Sequence, residues 1–339
     1  MRKRTRVTSS TRPYTSPLPA AWVSFAFPRL AALLAVAALG AHAFAADAAD
    51  SASGPARPSA EAEATVQPDG LSDGALAAIR WQSDYGEAVR QAKREGRMLL
   101  IYFECPEGDK RCRRFQSEVL GDADVIADAR NYVCVKVPTD IAVETKEGEV
   151  TLLKHPAFRE MLGRPGVAII DYAHRDKPYY RRVVSTFPLA HNLSYTPRRM
   201  RVILNLPPGT LTQRTLIYAV RIHPEAPRST DGDVHEYLLH EASSHSKHQA
   251  EIQLQGHHNW DARFHRINRK LPGGLLAVEV CAESWPGERL VEAAIECVRS
   301  WRHSSGHWSA VRQKHRVYGY DMRRGRNGIW YATGIFGKR

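Results

Sequence analysis

An α/β fold, α+β overall and divided between two domains, is what the sequence predicts, and three observations carry the prediction. The chain has 339 residues, more than one hydrophobic core usually organises. Its middle third alternates apolar runs of strand length with stretches of helical periodicity, the pattern of a sheet with helices on its faces. Its last third reads as helices first and two strands last, and Asn327-Gly328 between those strands is a hairpin signal.

Before the first domain, residues 1–45 read as a secretory signal peptide. The segment to about Phe27 carries only basic charges, residues 30–39 are apolar, and Ala43-Phe44-Ala45 offers a small-x-small cleavage site. Even counted to Ala45 across His42, the apolar stretch falls short of the ~20 residues that a spanning helix needs, so an uncleaved membrane anchor is the lesser alternative. Residues 46–75 are mostly Ala, Ser, Pro, Glu and Gly. Burial there cannot offset the entropy of ordering, and a disordered linker is expected. The expected location is secreted or periplasmic, in the cell envelope.

Charge bounds the partners. The formal net charge is +12, but Arg2, Lys3, Arg4, Arg6, Arg12 and Arg29 lie in the leader and account for half of it. The surplus that remains is compatible with weak contact to an anionic membrane surface or polymer, but a moderately basic, solvated surface is the favoured reading. No nucleic-acid partner is expected, because the basic residues are scattered and no motif spacing gathers them. Five cysteines in an exported chain permit disulfides, and the odd number leaves at least one unpaired or intermolecular.

The first domain spans 76–207. Residues 84–95 place Tyr85, Ala88, Val89 and Ala92 at helical spacing, and Gly96 stops the helix. Residues 98–103, 132–137 and 167–170 are runs typical of buried strands, with helical stretches over 113–120, 123–130 and 156–162 around them. Residues 179–184 supply one more strand. Thr196 and Pro197 form a cap and first-turn pair for a helix through Leu204. The second domain, 208–339, opens with a helix over 211–222 and a loop over 224–232. A long helix over 234–254 follows, then helices over 260–267 and 288–301, and strands over 317–322 and 329–336.

The strand Ile101-Tyr102-Phe103, the cysteine-bearing helix start after it, and Arg164-Pro165-Gly166 leading into Val167-Ala168-Ile169-Ile170-Asp171 together resemble the thioredoxin superfamily. The resemblance implies that Pro165 matches the family's cis-proline opposite the active-site helix. A dithiol centre needs C-x-x-C at a helix N-terminus, where the dipole stabilises the thiolate. Here Cys112 with Phe115 fits the second cysteine, Asp109 holds the place of the first, and Cys105 lies seven residues upstream of Cys112. A redox-active pair, a structural disulfide and two idle thiols are the alternatives for Cys105 and Cys112. Cys134, inside an apolar run, is expected in the core.

In the second domain the order of segments is the signal. Ala242, His245 and Ser246 precede Gly256-His257-His258, then comes Val278-Glu279-Val280, then Trp301-Arg302-His303-Ser304-Ser305-Gly306-His307, and last the strand from Trp330 to Phe336. This order resembles the CAP superfamily in its bacterial type, the SCP/PR-1-like domains of cysteine-rich secretory and pathogenesis-related proteins, over residues 210–337. The resemblance implies an α-β-α sandwich with histidines and glutamate lining a cleft. By position, His257, Glu279 and His307 would be metal ligands, with His258 the lesser alternative to His257. Ser304 lines the cleft where many members carry a second glutamate, and Val280 replaces the family's asparagine. Zn2+ or another divalent metal suits two imidazoles and a carboxylate with room for water.

Other features have plainer explanations. His235-Glu236 with His240, and His240-Glu241 with His245, imitate a zinc-protease helix, but histidines five apart on a helix point about 140 degrees apart and cannot share an ion. Cys281 and Cys297, falling between a loop and a helix, are a candidate bridge. Trp260, Trp301, Trp308 and Trp330 either wall a groove or fill the core. Three functions remain: a non-catalytic module binding a lipid, peptide or cell-envelope polymer; a metal-assisted hydrolase in which Glu279 takes a proton from water; and a thiol-disulfide oxidoreductase using Cys105 and Cys112. No nucleophile-and-base array can be placed at catalytic spacing, which favours the binding module.

Overall fold

The computed structural model describes residues 78–339, apart from 106, 107, 146, 147, 191, 192 and 194. The leader expected over 1–45 and the linker expected over 46–75 lie outside the described residues. All described residues belong to one compact unit. They form a mixed α/β structure built on two larger sheets and one hairpin.

The first sheet takes β1 (Trp81–Gln82), β2 (Leu99–Glu104), β3 (Val133–Pro138), β6 (Gly166–Ile170) and β7 (Val183–Pro188), in the order β1-β3-β2-β6-β7. β1 and β2 run parallel to β3, while β6 is antiparallel to β2 and β7 to β6. Strand alternation divides β2 between two cores. Leu99, Ile101 and Phe103 pack on Ala88 and Ala92 of α1 (Tyr85–Glu95), and Leu100 and Tyr102 pack on Phe115 and on Val125 and Ile126 of α3 (Ala123–Ala129). Asp84 caps α1 by accepting from Glu87 N, and Gly96, at φ 61°, ends it. The hairpin of β4 (Ala142–Thr145) and β5 (Gly148–Thr151) stands apart from this sheet.

Three local expectations for this half need correction. The strand expected over 179–184 is a turn as far as 182, because Arg181 adopts φ 61° and donates its N–H to Asp171 O at 2.7 Å; the strand, β7, begins at Val183. The helix expected over 156–162 is a 3-10 helix, Pro156–Met161, stopped by Leu162 at φ 58°. The helix expected over 113–120 starts earlier, as the single turn α2 (Lys110–Arg114), and widens into a π-turn over Phe115–Val119.

The second sheet has the order β8-β10-β11-β9, from β8 (Asp233–Val234), β9 (Leu276–Glu283), β10 (Val317–Arg324) and β11 (Trp330–Lys338). The β10–β11 hairpin turns at Asn327-Gly328, with Gly328 at φ 79°. Helices cover both faces. On one, α5 (Leu211–Arg221), α8 (Leu290–Arg302) and α9 (Ser305–Arg312) pack on Val280, Ala282, Tyr320 and Phe336. On the other, Leu238 and Ala242 of α6 (Glu236–Ile252) and Ile267 of α7 (Trp260–Asn268) pack on Ala277, Val317 and Ile335. Gly319 lets α6 approach this closely: a Cβ there would lie 2.4 Å from the Leu238 carbonyl carbon.

β9 was not expected as a strand, and its alternation corrects the proposed Cys281–Cys297 bridge. Cys281 faces the α6 side while Cys297, on α8, packs beneath the opposite face, and both are free and buried. Cys134 is likewise buried and free, as expected.

A shared core spans the boundary expected at 207/208. One hydrophobic cluster runs from Tyr102 and Val167 through Phe187 and Tyr218 to Trp301 and Tyr320, and the Phe187 and Tyr218 rings meet at 4.6 Å. Arg214 of α5 is fully buried without a carboxylate partner; it donates to Ser185 Oγ, Leu206 O and Pro207 O at 2.8–2.9 Å. Carbonyls of the segment that follows α4 (Pro197–Leu204) thus replace water around a cation that would otherwise be costly to bury. No helix among the described residues is long and apolar enough to cross a membrane.

Candidate functional site

α6 sets the site up. His245 and Gln249, four residues apart, share one helix face. His245 Nε2–H donates to Gly256 O at 2.8 Å, Gly256 N–H donates to Gln249 Oε1 at 3.1 Å, and Gln249 Nε2 donates to Thr333 Oγ1 of β11 at 2.9 Å. The helix ends at Gln253, which takes φ 56°. Both polar groups of the Gly256 residue are therefore held by α6, and the next residue, His257, is delivered over β9.

On β9, Glu279 and Cys281 are two residues apart and point the same way. Glu279 Oε1 lies 3.0 Å from His257 Nδ1, and Oε2 lies 2.5 Å from Nη2 of buried Arg263 on α7. Burial raises the carboxyl pKa, but the His257 hydrogen bond and Arg263 outweigh it, and the net displacement is below the usual carboxylate range. The carboxylate is thus ionised and can only accept, so His257 donates through Nδ1. His257 Nε2 is then left facing His307 Nε2 at 3.1 Å. Burial, together with His257 nearby, lowers the His307 pKa, so this ring is neutral and donates its Nε2–H across the gap. α9 places His307: buried Trp308 beside it donates Nε1–H to Glu225 Oε2 at 2.9 Å.

Beneath this pair lies a second cluster. One donor atom each from His245, Glu279 and Cys281 lie within 4.8 Å of one another, all three residues are buried, and the set is able to hold a metal ion. Burial pushes His245 down to about 4, so it is neutral at ordinary pH, and burial pushes the Cys281 thiol well up. Arg263 lies 5.5 Å from the Trp260 ring centroid, and its neighbour Arg266 is taken by Glu241 at 2.7 and 3.0 Å.

His257, Glu279 and His307 are thus brought together. The outer nitrogens have the spacing of neighbouring ligands on an ion about 2.0–2.1 Å from each. One imidazole gives one nitrogen to an ion, so with Nδ1 on Glu279 the carboxylate stands behind His257 rather than beside it on that ion. His258 turns away: its Nε2 contacts Leu254 O at 3.2 Å and its ring lies 5.5 Å from that of His248. Ser304 is the N-cap residue of α9, and its side chain makes no capping bond.

His245 and Cys281 entered the sequence reading only as a motif residue and a disulfide candidate. The signal for Cys281 was its i, i+2 relation to Glu279, which becomes informative only once the segment is known to be a strand. His240, its partner in the false protease motif, is exposed.

Elsewhere, Cys105 and Cys112 form a disulfide with Cα atoms 5.9 Å apart, and Asp109 caps α2 by accepting from Arg111 N. Pro165 directly precedes β6, and its carbonyl accepts from Leu189 N at 2.8 Å. Trp301, Trp308 and Trp330 fill the core, and Trp260 packs half-buried at the α7 side. Hollows of about 550, 1010, 660 and 280 Å³ open elsewhere, and none is lined by His257, Glu279 or His307. With His257 40 % exposed, the imidazole pair is within reach of solvent. Neither the models of known protein families nor the curated proteins give a match to this chain.

Proposed function

We propose that the chain is an exported, non-catalytic binding module whose second half is a CAP-type sandwich presenting a His/Glu corner to a lipid, peptide or polymer of the cell envelope, with a thioredoxin-like first half as scaffold. The strand order β1-β3-β2-β6-β7, with β6 running against the other four strands, supports the scaffold reading. Helices on both faces of the second sheet support the sandwich reading. One observation carries the function: Glu279 Oε1, His257 and His307, which are 22 and 50 residues apart along the chain, form a continuous polar contact at the surface.

The donor types of the corner suit zinc, and a divalent ion bound there would offer a Lewis-acidic position to a ligand oxygen. The hydrolase alternative asks Glu279 to take a proton from water. With one oxygen on His257, the other on Arg263 and a lowered pKa, Glu279 is a poor base. The Cys105–Cys112 bridge is read as a staple of the scaffold, since Cys112 is buried and its first-turn partner position is held by Asp109. Sedimentation with cell-envelope fractions tests the proposal. Wild type is expected to co-sediment, and His257→Ala with His307→Ala to bind at least ~10-fold less; equal binding by the double variant removes the corner from the account.

A further inference from the structure

We infer that the metal-holding part of this corner is its buried side, where His245, Glu279 and Cys281 form a mixed nitrogen, oxygen and sulfur site for a thiophilic divalent ion, leaving His257 and His307 to meet the ligand. The inference takes its location and its carboxylate, Glu279, from the proposed binding corner, whereas His245 and Cys281 play no part in that proposal.

Three observations support it. The donor atoms already lie within 4.8 Å of one another, and His245 Nε2 is 3.7 Å from Glu279 Oε1. A contraction of about 1 Å brings them to the edge lengths of a tetrahedral site. Next, the ion pair of Glu279 Oε2 with Arg263 Nη2 at 2.5 Å is poorly aligned: Oε2 and both Arg263 Nη atoms are buried without a hydrogen bond of good geometry, so this buried pair is only partly satisfied by its own partner. Last, the charge count singles out the sulfur. Arg263 already balances Glu279, so a divalent ion bound by imidazole and this carboxylate alone would leave its charge uncompensated in a buried place. Cys281 as thiolate cancels one of the ion's two charges. The outer nitrogens, His257 Nε2 and His307 Nε2, have no such group, since Cys281 Sγ reaches only the inner side of His257, 3.7 Å from Nδ1.

Donor chemistry then selects the ion. Mg2+ and Ca2+ require shells of oxygen, whereas one nitrogen, one oxygen and one sulfur suit Zn2+, Co2+ or Cd2+. On binding, the Cys281 S–H bond breaks, the sulfur–metal bond forms, and one proton passes to solvent for each ion taken up. His245 stays neutral: Nε2 takes the ion, the ring proton moves to Nδ1, and the Gly256 carbonyl is released while Gln249 still holds the Gly256 N–H.

Titration of the full chain with Co2+ reads the sulfur directly, through the thiolate-to-cobalt charge-transfer absorption in the near ultraviolet. The band is expected at one equivalent in wild type, retained in Cys297→Ser, and lost in Cys281→Ser with affinity at least ~10-fold weaker. X-ray absorption at the cobalt edge of the wild-type protein gives the same answer without a variant, as a sulfur scatterer in the first shell. Cobalt bound without sulfur, a band that survives Cys281→Ser, or no uptake at millimolar ion overturns the inference. The two proposals fail separately. Unchanged envelope binding by the double histidine variant ends the proposed function while the sulfur signature stands, and a sulfur-free ion lost with the two histidines ends this inference alone.

Discussion

Two three-residue donor clusters invite comparison: Cys105, Asp109 and Cys112 at the start of α2, and His245, Glu279 and Cys281 under the edge of the second sheet. In both, one donor atom from each residue lies within 4.8 Å of the others. In the first, the sulfurs are spent on each other in a disulfide, and Asp109 caps its own helix. In the second, the thiol is reduced and buried, and the carboxylate faces an arginine. Proximity of ligating groups is thus common to both, and what separates them is whether lone pairs and charge remain available. The first is a local closure over a short loop; the second is assembled from a helix and a strand far apart in sequence.

The comparison makes four predictions. Glu279→Ala should have the largest effect, because it leaves buried Arg263 with only the longer contact to Glu241 at 4.0 Å. A loss of about 3–5 kcal/mol is expected in denaturant unfolding, and a loss under 1 kcal/mol would mean that Arg263 finds water instead. The second concerns pH. Burial holds His245 at about 4 when folded, below its ordinary value near 6.5, so the unfolded chain takes up the proton first as pH falls. Its contribution is complete above pH 6.5 and is lost as pH falls through about 4, by up to about 3 kcal/mol; His245→Asn should flatten this window, and an unchanged profile would place the titrating group elsewhere.

The third prediction probes the local cluster. Cys105→Ser opens the bridge over a seven-residue separation and should cost about 2–3 kcal/mol by loop-closure entropy, while leaving Co2+ uptake at the second cluster unchanged. The smallest effect belongs to Gln249→Ala, which frees the Gly256 N–H and Thr333. A loss of about 1–2 kcal/mol is expected, together with broadened His257 ring resonances as the segment carrying it loosens. Sharp, unshifted His257 signals would show that His245 alone holds the turn.

How much of this was legible follows from how local each determinant is. Asp84 and Gly96 around α1, Thr196-Pro197 before α4, and Asn327-Gly328 in the hairpin are decided by neighbouring residues, and they read correctly from sequence. β7 slipped because its start depends on Arg181 adopting a left-handed conformation, which no residue type there announces. β9 was missed as a strand because its mixed sequence, Leu-Ala-Val-Glu-Val-Cys-Ala-Glu, alternates between an apolar face against α8 and a site face carrying Glu279 and Cys281. That miss also hid the site: with β9 taken as a loop, Cys281 pointed nowhere. The convergence of His257 with Glu279 and His307 was expected from segment order, whereas the choice of His257 over His258 is made by the Gly256 clamp, which exists only once α6 and the following loop are folded together.

The central claim is that His257 links an ionised Glu279 to His307, and long-range nitrogen–proton correlation spectra of the histidine rings test it most directly. The account predicts His257 with its proton on Nδ1 and a bare Nε2, His307 protonated on Nε2, and a displaced His257 Nδ1 signal in Glu279→Gln. A His257 ring carrying its proton on Nε2 with Nδ1 bare, indifferent to Glu279→Gln, would contradict it.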